Sequence, residues 1–135
     1  MKNVVIAGSA SLHEAIEKWV RYWNLQDGHT VTNYPKTIPK ERFIEEYPNV
    51  HRDYFKSLKE ADILFVANEE KRGIPGYIGA EVFAEIVFAV ALDLVDDKKI
   101  EIILANKPSD QIQAYEEIRL WLGLGWISIM KEKGF

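Results

Sequence analysis

The chain has 135 residues, with 17 Lys and Arg against 21 Asp and Glu for a formal net charge of −4, and 47% of it is hydrophobic. That length suits one domain spanning residues 1–135, and the apolar content excludes intrinsic disorder, which needs low hydrophobicity with high charge. The mild acidity argues against a surface that coats a nucleic-acid polymer, and the absence of Cys excludes disulfides, thiolate metal sites and a cysteine nucleophile.

The first apolar run, residues 3–8, is continuous, rich in β-branched residues, and stops at Gly8. A run apolar at every position predicts a strand buried on both faces, as in parallel sheets. Ser9 and Ser11 offer capping hydroxyls for a helix over residues 12–25, whose stripe is Leu12, Ile16, Trp19, Val20 and Trp23. Residues 29–34 read as a second strand. Pro35 and Pro39 then break regularity, so residues 35–49 are expected to be loop or a short helix. A helix follows over residues 50–60, with Tyr54, Phe55 and Leu58 on its apolar side.

Residues 63–67 make a third, fully apolar strand ending at Asn68, followed by the polar, glycine-rich stretch from Glu69 to Tyr77. The longest apolar segment, residues 78–94, reads as a helix. Residues 96–99 are a turn and residues 100–104 a fourth strand. Residues 107–110 start a helix carrying Ile112, Tyr115, Ile118 and Leu122, which Gly123 and Gly125 stop before a last strand over residues 126–130. Strand and helix thus alternate about five times. The expected class is α/β: a three-layer αβα sandwich with a five-stranded parallel sheet of flavodoxin-like type.

In such sheets ligands bind beyond the carboxyl ends of the strands. Gly8 with Ser9, Asn68 with the loop to Tyr77, and the helix after Gly79 should meet there. Between Ile78 and Leu92 the only charged side chains are Glu81 and Glu85, four residues apart and so on one helix face. Glu81 lies in the first turn, where the helix dipole favours a carboxylate. Glu85 lies deeper, among residues that exclude water, so its carboxyl must find partners or rise in pKa. Gly73, Gly76 and Gly79 let the backbone approach a ligand, and Tyr77 supplies an aromatic face or hydroxyl.

Three strings taken together resemble the nucleoside 2-deoxyribosyltransferase-like superfamily, which includes the 2′-deoxynucleoside 5′-monophosphate N-glycosidases. They are Ala61-Asp62-Ile63-Leu64-Phe65-Val66-Ala67-Asn68, Gly76-Tyr77-Ile78-Gly79, and Glu85-Ile86-Val87-Phe88-Ala89. The resemblance runs from Val4 to about Leu104. It implies an enzyme that cleaves or transfers an N-glycosidic bond, with Glu85 attacking the anomeric carbon of a 2-deoxyribose and Glu81 as the fallback. It further implies that Asp53, one residue out of register, stands near the leaving base. Gly8 and Ser9 would hold the sugar or phosphate end, and Asn68 and Tyr77 would line the pocket.

The family's monophosphate glycosidases carry an arginine after the Gly-Ser turn and serines before the Gly loop. Here the corresponding stretches read Ser9-Ala10-Ser11-Leu12-His13 and Glu69-Glu70-Lys71-Arg72, whose two acidic residues disfavour a phosphate while Lys71 and Arg72 partly offset them, so a nucleoside, a nucleotide, another ribosyl compound or no catalytic substrate all stay open. The alternative is a non-catalytic nucleoside- or nucleotide-binding module.

No cofactor is expected, since neither a Rossmann fingerprint nor a P-loop string is present. His13, His29 and His51 are too scattered for a metal site, and His13 is the one nearest the proposed mouth. No apolar stretch reaches the roughly 18 residues of a membrane span, and the amino end lacks the pattern of a signal peptide, so a cytoplasmic location is expected. The apolar circumference of residues 78–94 and the tryptophan content point to a homodimer or higher homo-oligomer. By the resemblance, the Phe135 carboxylate would reach a neighbour's pocket.

Overall fold

Strands that are apolar on both faces need cover on both faces, and helices supply it. The computed structural model describes residues 1–130. It contains strands β1 (Lys2–Ala7), β2 (His29–Asn33), β3 (Ile63–Val66), β4 (Glu101–Leu104) and β5 (Ser128–Ile129), and helices α1 (His13–Asn24), α2 (Phe43–Lys59), α3 (Ala80–Asp96) and α4 (Tyr115–Leu124). The strand order is β2-β1-β3-β4-β5, all parallel, with Val4 opposite Ile63 and Ile63 opposite Glu101. This is the expected three-layer αβα sandwich of flavodoxin-like type.

Side-chain alternation divides the core in two. Val4, Ile6, Ile63 and Phe65 pack with Ile16, Trp19 and Trp23 of α1. Val5, Ala7, Leu64, Val66, Ile102 and Leu104 pack on the opposite face with α2, α3 and α4. Among the described residues one outer layer is therefore a single helix and the other has three. Each fully buried aliphatic or Phe side chain contributes roughly 1.5–3 kcal/mol, so the β1–β3 centre, where every residue from Val4 to Ala7 is 0% exposed, anchors the fold.

Three elements differ from expectation. Helix α2 begins at Phe43, seven residues before the predicted start, and carries Pro48 inside it. Proline removes the bond to the carbonyl four residues back, but both buried residues of α2, Tyr54 and Leu58, lie after it. The earlier half stays at the surface, where water can serve the freed carbonyl. An aromatic row, Phe43, Tyr47, His51 and Phe55 at successive four-residue steps, runs through the proline without interruption. Helix α4 starts at Tyr115 rather than near Pro108, because Ser109 closes a turn with its own hydroxyl, accepting from the Gln111 N–H at 3.0 Å, and Ile112 reaches the core from that turn. Strand β5 is shorter than predicted, although the Met130 N–H still donates to the Leu104 carbonyl at 2.8 Å. Among the described residues no helix is long and apolar enough to cross a membrane.

Ile86 sits at the centre of α3 with no exposed surface. Ile86→Ala should cost about 2–5 kcal/mol of stability, measured by urea denaturation; a cost under about 0.5 kcal/mol would contradict the packing described.

Candidate functional site

Strand β1 runs on into α1 on one face of the sheet, while β3 runs on into α3 on the other. Their loops therefore leave the carboxyl edge toward opposite faces, and that edge is the usual ligand position in open parallel sheets. The β1 loop contains Gly8, Ser9 and Ser11. A Cβ at Gly8 would lie 2.9 Å from Ile16 Cδ1, so helix and strand approach too closely for a side chain there. The Ser9 and Ser11 hydroxyls are 2.9 Å apart.

The β3 loop is more ordered than its composition implies. Lys71 and Ile74 exchange both backbone hydrogen bonds, at 3.1 and 3.0 Å, around Arg72 (φ 55) and Gly73 (φ 76). Two consecutive positive φ values define a type I′ turn, the usual closure of a tight hairpin. This turn points Lys71 back toward the β1 loop, where Nζ donates to Ser9 Oγ at 2.7 Å and lies 5.6 Å from the Tyr77 ring centroid. Tyr77 in turn covers the start of α3: a Cβ on Gly79 would sit 3.2 Å from its ring.

Asn68 and Asn106 bind the loops after β3 and β4 together. Asn68, 1% exposed, donates from Nδ2 to the carbonyls of Asn106 (2.7 Å) and Gly76 (3.5 Å), and its Oδ1 accepts from the Asn106 N–H at 2.9 Å. Asn106 Nδ2 returns bonds to the Asn68 carbonyl (3.1 Å) and to Glu69 Oε2 (3.1 Å). Gly76 takes φ +60, and a Cβ there would overlap the Lys107 carbonyl oxygen. Asn68 and Gly76 are thus joined as the sequence suggested, with the Asn68 amide spent on shaping the backbone. Burial by itself would raise the Glu69 carboxyl, yet hydrogen bonds from Trp19 Nε1 (2.9 Å) and Asn106, together with the Lys18 ammonium, hold it below its ordinary value.

Helix α3 carries the two glutamates on the side that meets α2. Glu81 is largely exposed and pairs with His51 of α2, Nε2 to Oε1 at 3.5 Å. Glu85 is 6% exposed and makes no hydrogen bond or ion pair with any described residue. Burial, then the like charge of Glu81, pushes its pKa up to about 8. Tyr54 lies beside it on α2. Its phenol is driven well above the ordinary range by burial and then by the charges of Glu85 and Glu81. The Tyr54 hydroxyl donates to the Ile6 carbonyl at 2.6 Å, which ties the surroundings of Glu85 to β1 two residues before Gly8.

Asp53, expected beside the leaving base, is exposed on α2 and is not brought to Glu85. One residue along a helix is a rotation of about 100°, so the neighbouring Tyr54 takes the inward place. Four contributors were missed from sequence: Tyr54, which reads as an ordinary core aromatic; Lys71, assigned to the loop's charges; Asn106; and His51. The four-residue spacing of Phe43, Tyr47, His51 and Phe55 was the available signal for His51. His13 is exposed at the start of α1, and Phe135 lies outside the described residues. Among the described residues no group of three His, Asp or Glu side chains is placed to hold a metal ion. No family model matches the chain, and no curated protein matches it.

The Glu85 carboxyl ionises near 4.5 when hydrated and near 8 when folded, so the folded state binds its proton more tightly. Stability should therefore be highest below about pH 4.5, as far as this group is concerned, and decline as pH rises to about 8. The full decline is of the order of 3–5 kcal/mol. Glu85→Gln should flatten that part of the stability–pH curve in denaturation measured from pH 5 to 9; an unchanged slope would place the carboxyl in water.

Proposed function

We propose that the chain cleaves or transfers the N-glycosidic bond of a nucleoside or nucleotide in the cytoplasm, as a member of the nucleoside 2-deoxyribosyltransferase-like superfamily with Glu85 as nucleophile. The observation that carries the reading is a glutamate only 6% exposed, with no protein partner among the described residues, on the helix that opens from the carboxyl-edge loop. A poorly hydrated carboxylate is complementary to the positive charge that develops at the anomeric carbon as a base departs. In the reaction a Glu85 oxygen forms a bond to C1′ while the C1′–N bond breaks, its electron pair leaving with the base, which takes up a proton. Water then releases the sugar in a hydrolase, and a second base does so in a transferase.

Ser9, Lys71 and Tyr77 stand together at the carboxyl edge as contacts for the sugar or its 5′ end. Glu85 attacks only when ionised, so its raised pKa predicts a rate that climbs as pH rises through about 8. Glu85→Gln should abolish release of free base from a panel of deoxynucleosides and their monophosphates, followed by chromatography, while leaving the circular dichroism spectrum intact. Unchanged base release in that variant would reject the assignment.

A second reading, a binding module without chemistry, is favoured by one feature: Asp53, the residue expected near the leaving base, is exposed on α2. Binding of nucleosides without base release, by calorimetry and chromatography on the same panel, would select it.

We also propose a homodimer. Ala84, Val87, Ala91, Leu94 and Val95 leave an exposed apolar stripe along α3, with Leu94 58% and Val95 78% exposed. Stripes of this kind are usually covered by a partner, and a twofold axis would pair this one with itself. Light scattering should return twice the chain mass; a monomer at micromolar concentration would refute it.

A further inference from the structure

The β3 loop sets two acids beside two bases, Glu69-Glu70-Lys71-Arg72, and the fold separates them. Glu69 is committed to α1 and the β4 loop: Trp19 Nε1 (2.9 Å) and Lys18 Nζ (3.4 Å) donate to one carboxylate oxygen, and Asn106 Nδ2 (3.1 Å) donates to the other. Lys18 offsets its charge. Glu70 is exposed, and among the described residues it forms no pair with Lys71. Lys71 is carried to the β1 loop instead, with Nζ 2.7 Å from Ser9 Oγ and Ser9 Oγ 2.9 Å from Ser11 Oγ. We infer that Lys71, Ser9 and Ser11 are the seat of a phosphate group, which makes the substrate a nucleoside 5′-monophosphate instead of a free nucleoside.

A count of donors and charges leads there. An ammonium has three N–H donors. Among the described residues Lys71 spends one of them, on Ser9, and has no carboxylate partner; the Tyr77 ring lies 5.6 Å from it. The two serine hydroxyls carry two protons, and the bond between them consumes one. The cluster thus keeps two N–H donors, one O–H donor and a positive charge that no described side chain offsets. Water can serve the donors, but it does not cancel the charge of a half-buried ammonium. A sugar hydroxyl is neutral and needs an acceptor for its own proton. A phosphate monoester meets both demands, with several acceptor oxygens and a negative charge.

The backbone holds these donors in place. The Tyr77 N–H bonds to the Glu69 carbonyl at 3.2 Å, the Lys71–Ile74 pair lies above it, and the turn at Arg72 and Gly73 closes the hairpin. Its foot is tied to α1 by the Glu69 side chain. A set of donors fixed in this way costs less ordering when a ligand binds. Ser11 is exposed, and Ser9 and Lys71 are half-buried, so solvent reaches the cluster. Tyr77 joins it to the helix of the candidate nucleophile: the ring covers Gly79, the N-cap of α3, six residues before Glu85. The inference rests on the N-glycosidic reading for what the phosphate is attached to.

The test is calorimetry near neutral pH with the common 2′-deoxynucleosides and their 5′-monophosphates, on wild type, Lys71→Met, Ser11→Ala and Arg72→Met, each checked for fold by circular dichroism. At least one monophosphate should bind about tenfold or more tightly than its own nucleoside, the lower end of what a hydrogen bond to a charged group supplies. Lys71→Met should reduce that ratio to below about threefold, Ser11→Ala should lower it by less, and Arg72→Met, on the neighbouring cation, should leave it in place. Equal binding of every monophosphate and its nucleoside, a ratio unmoved in Lys71→Met or in Ser11→Ala, or an equal loss in Arg72→Met would each overturn the assignment. Chromatography of the same samples for free base keeps the two readings apart. A monophosphate preference without base release removes the catalytic reading and keeps the phosphate seat; base release with no such preference does the reverse.

Discussion

Packing α3 against α2 and the sheet leaves Glu85 only 6% exposed without giving its carboxyl a hydrogen-bond partner among the described residues. Most buried charged groups are paired, because an isolated one is costly, and the chain accommodates this one by keeping it protonated over most of the neutral range. Glu85 shares its helix with Val82, Ile86, Ala89 and Val90, all buried, so α3 cannot turn the glutamate outward without exposing them. The fold therefore carries a standing electrostatic cost at one position. Costs of that kind concentrate where charge is to be used.

Around that position the polar groups fall into two sets with different work. Asn68, Asn106 and Glu69 spend their hydrogen bonds on one another and on backbone, clamping the loops after β3 and β4. Ser9, Lys71 and Tyr77 cluster beside them, and among the described residues neither the hydroxyls nor the ammonium there pairs with a carboxylate. The first set holds the carboxyl-edge loops together. The type I′ turn at Arg72 and Gly73 connects them, since it aims Lys71 at Ser9 from a loop that the asparagines hold in place.

The α2–α3 contact does for electrostatics what the loops do for shape. Aromatic stacking along Phe43, Tyr47, His51 and Phe55 makes α2 a rigid rail through Pro48, and Phe55 on Phe88 sets its distance from α3. His51 and Tyr54 are delivered to Glu81 and Glu85 by that rail. The Tyr54 hydroxyl, bonded to Ile6, prevents the rail from sliding along β1.

The parallel sheet and its order of elements were legible in sequence because fully apolar strands, separated by helical periodicities, leave few other ways to bury both faces. Glu85 was legible for the same reason: a charge inside an otherwise apolar helix contradicts its surroundings. The start of α2 was not, since proline is locally a helix breaker and only the surface position of that first half tolerates it. Nor was the choice of Tyr54 over Asp53, because a one-residue difference in helical phase is invisible without the neighbouring helix. The pairing of His51 with Glu81 and the aim of Lys71 at Ser9 join groups 30 and 62 residues apart in the chain. Local propensity carries no information about such distances; they are set by how α2 lies on α3 and how one tight turn faces another loop.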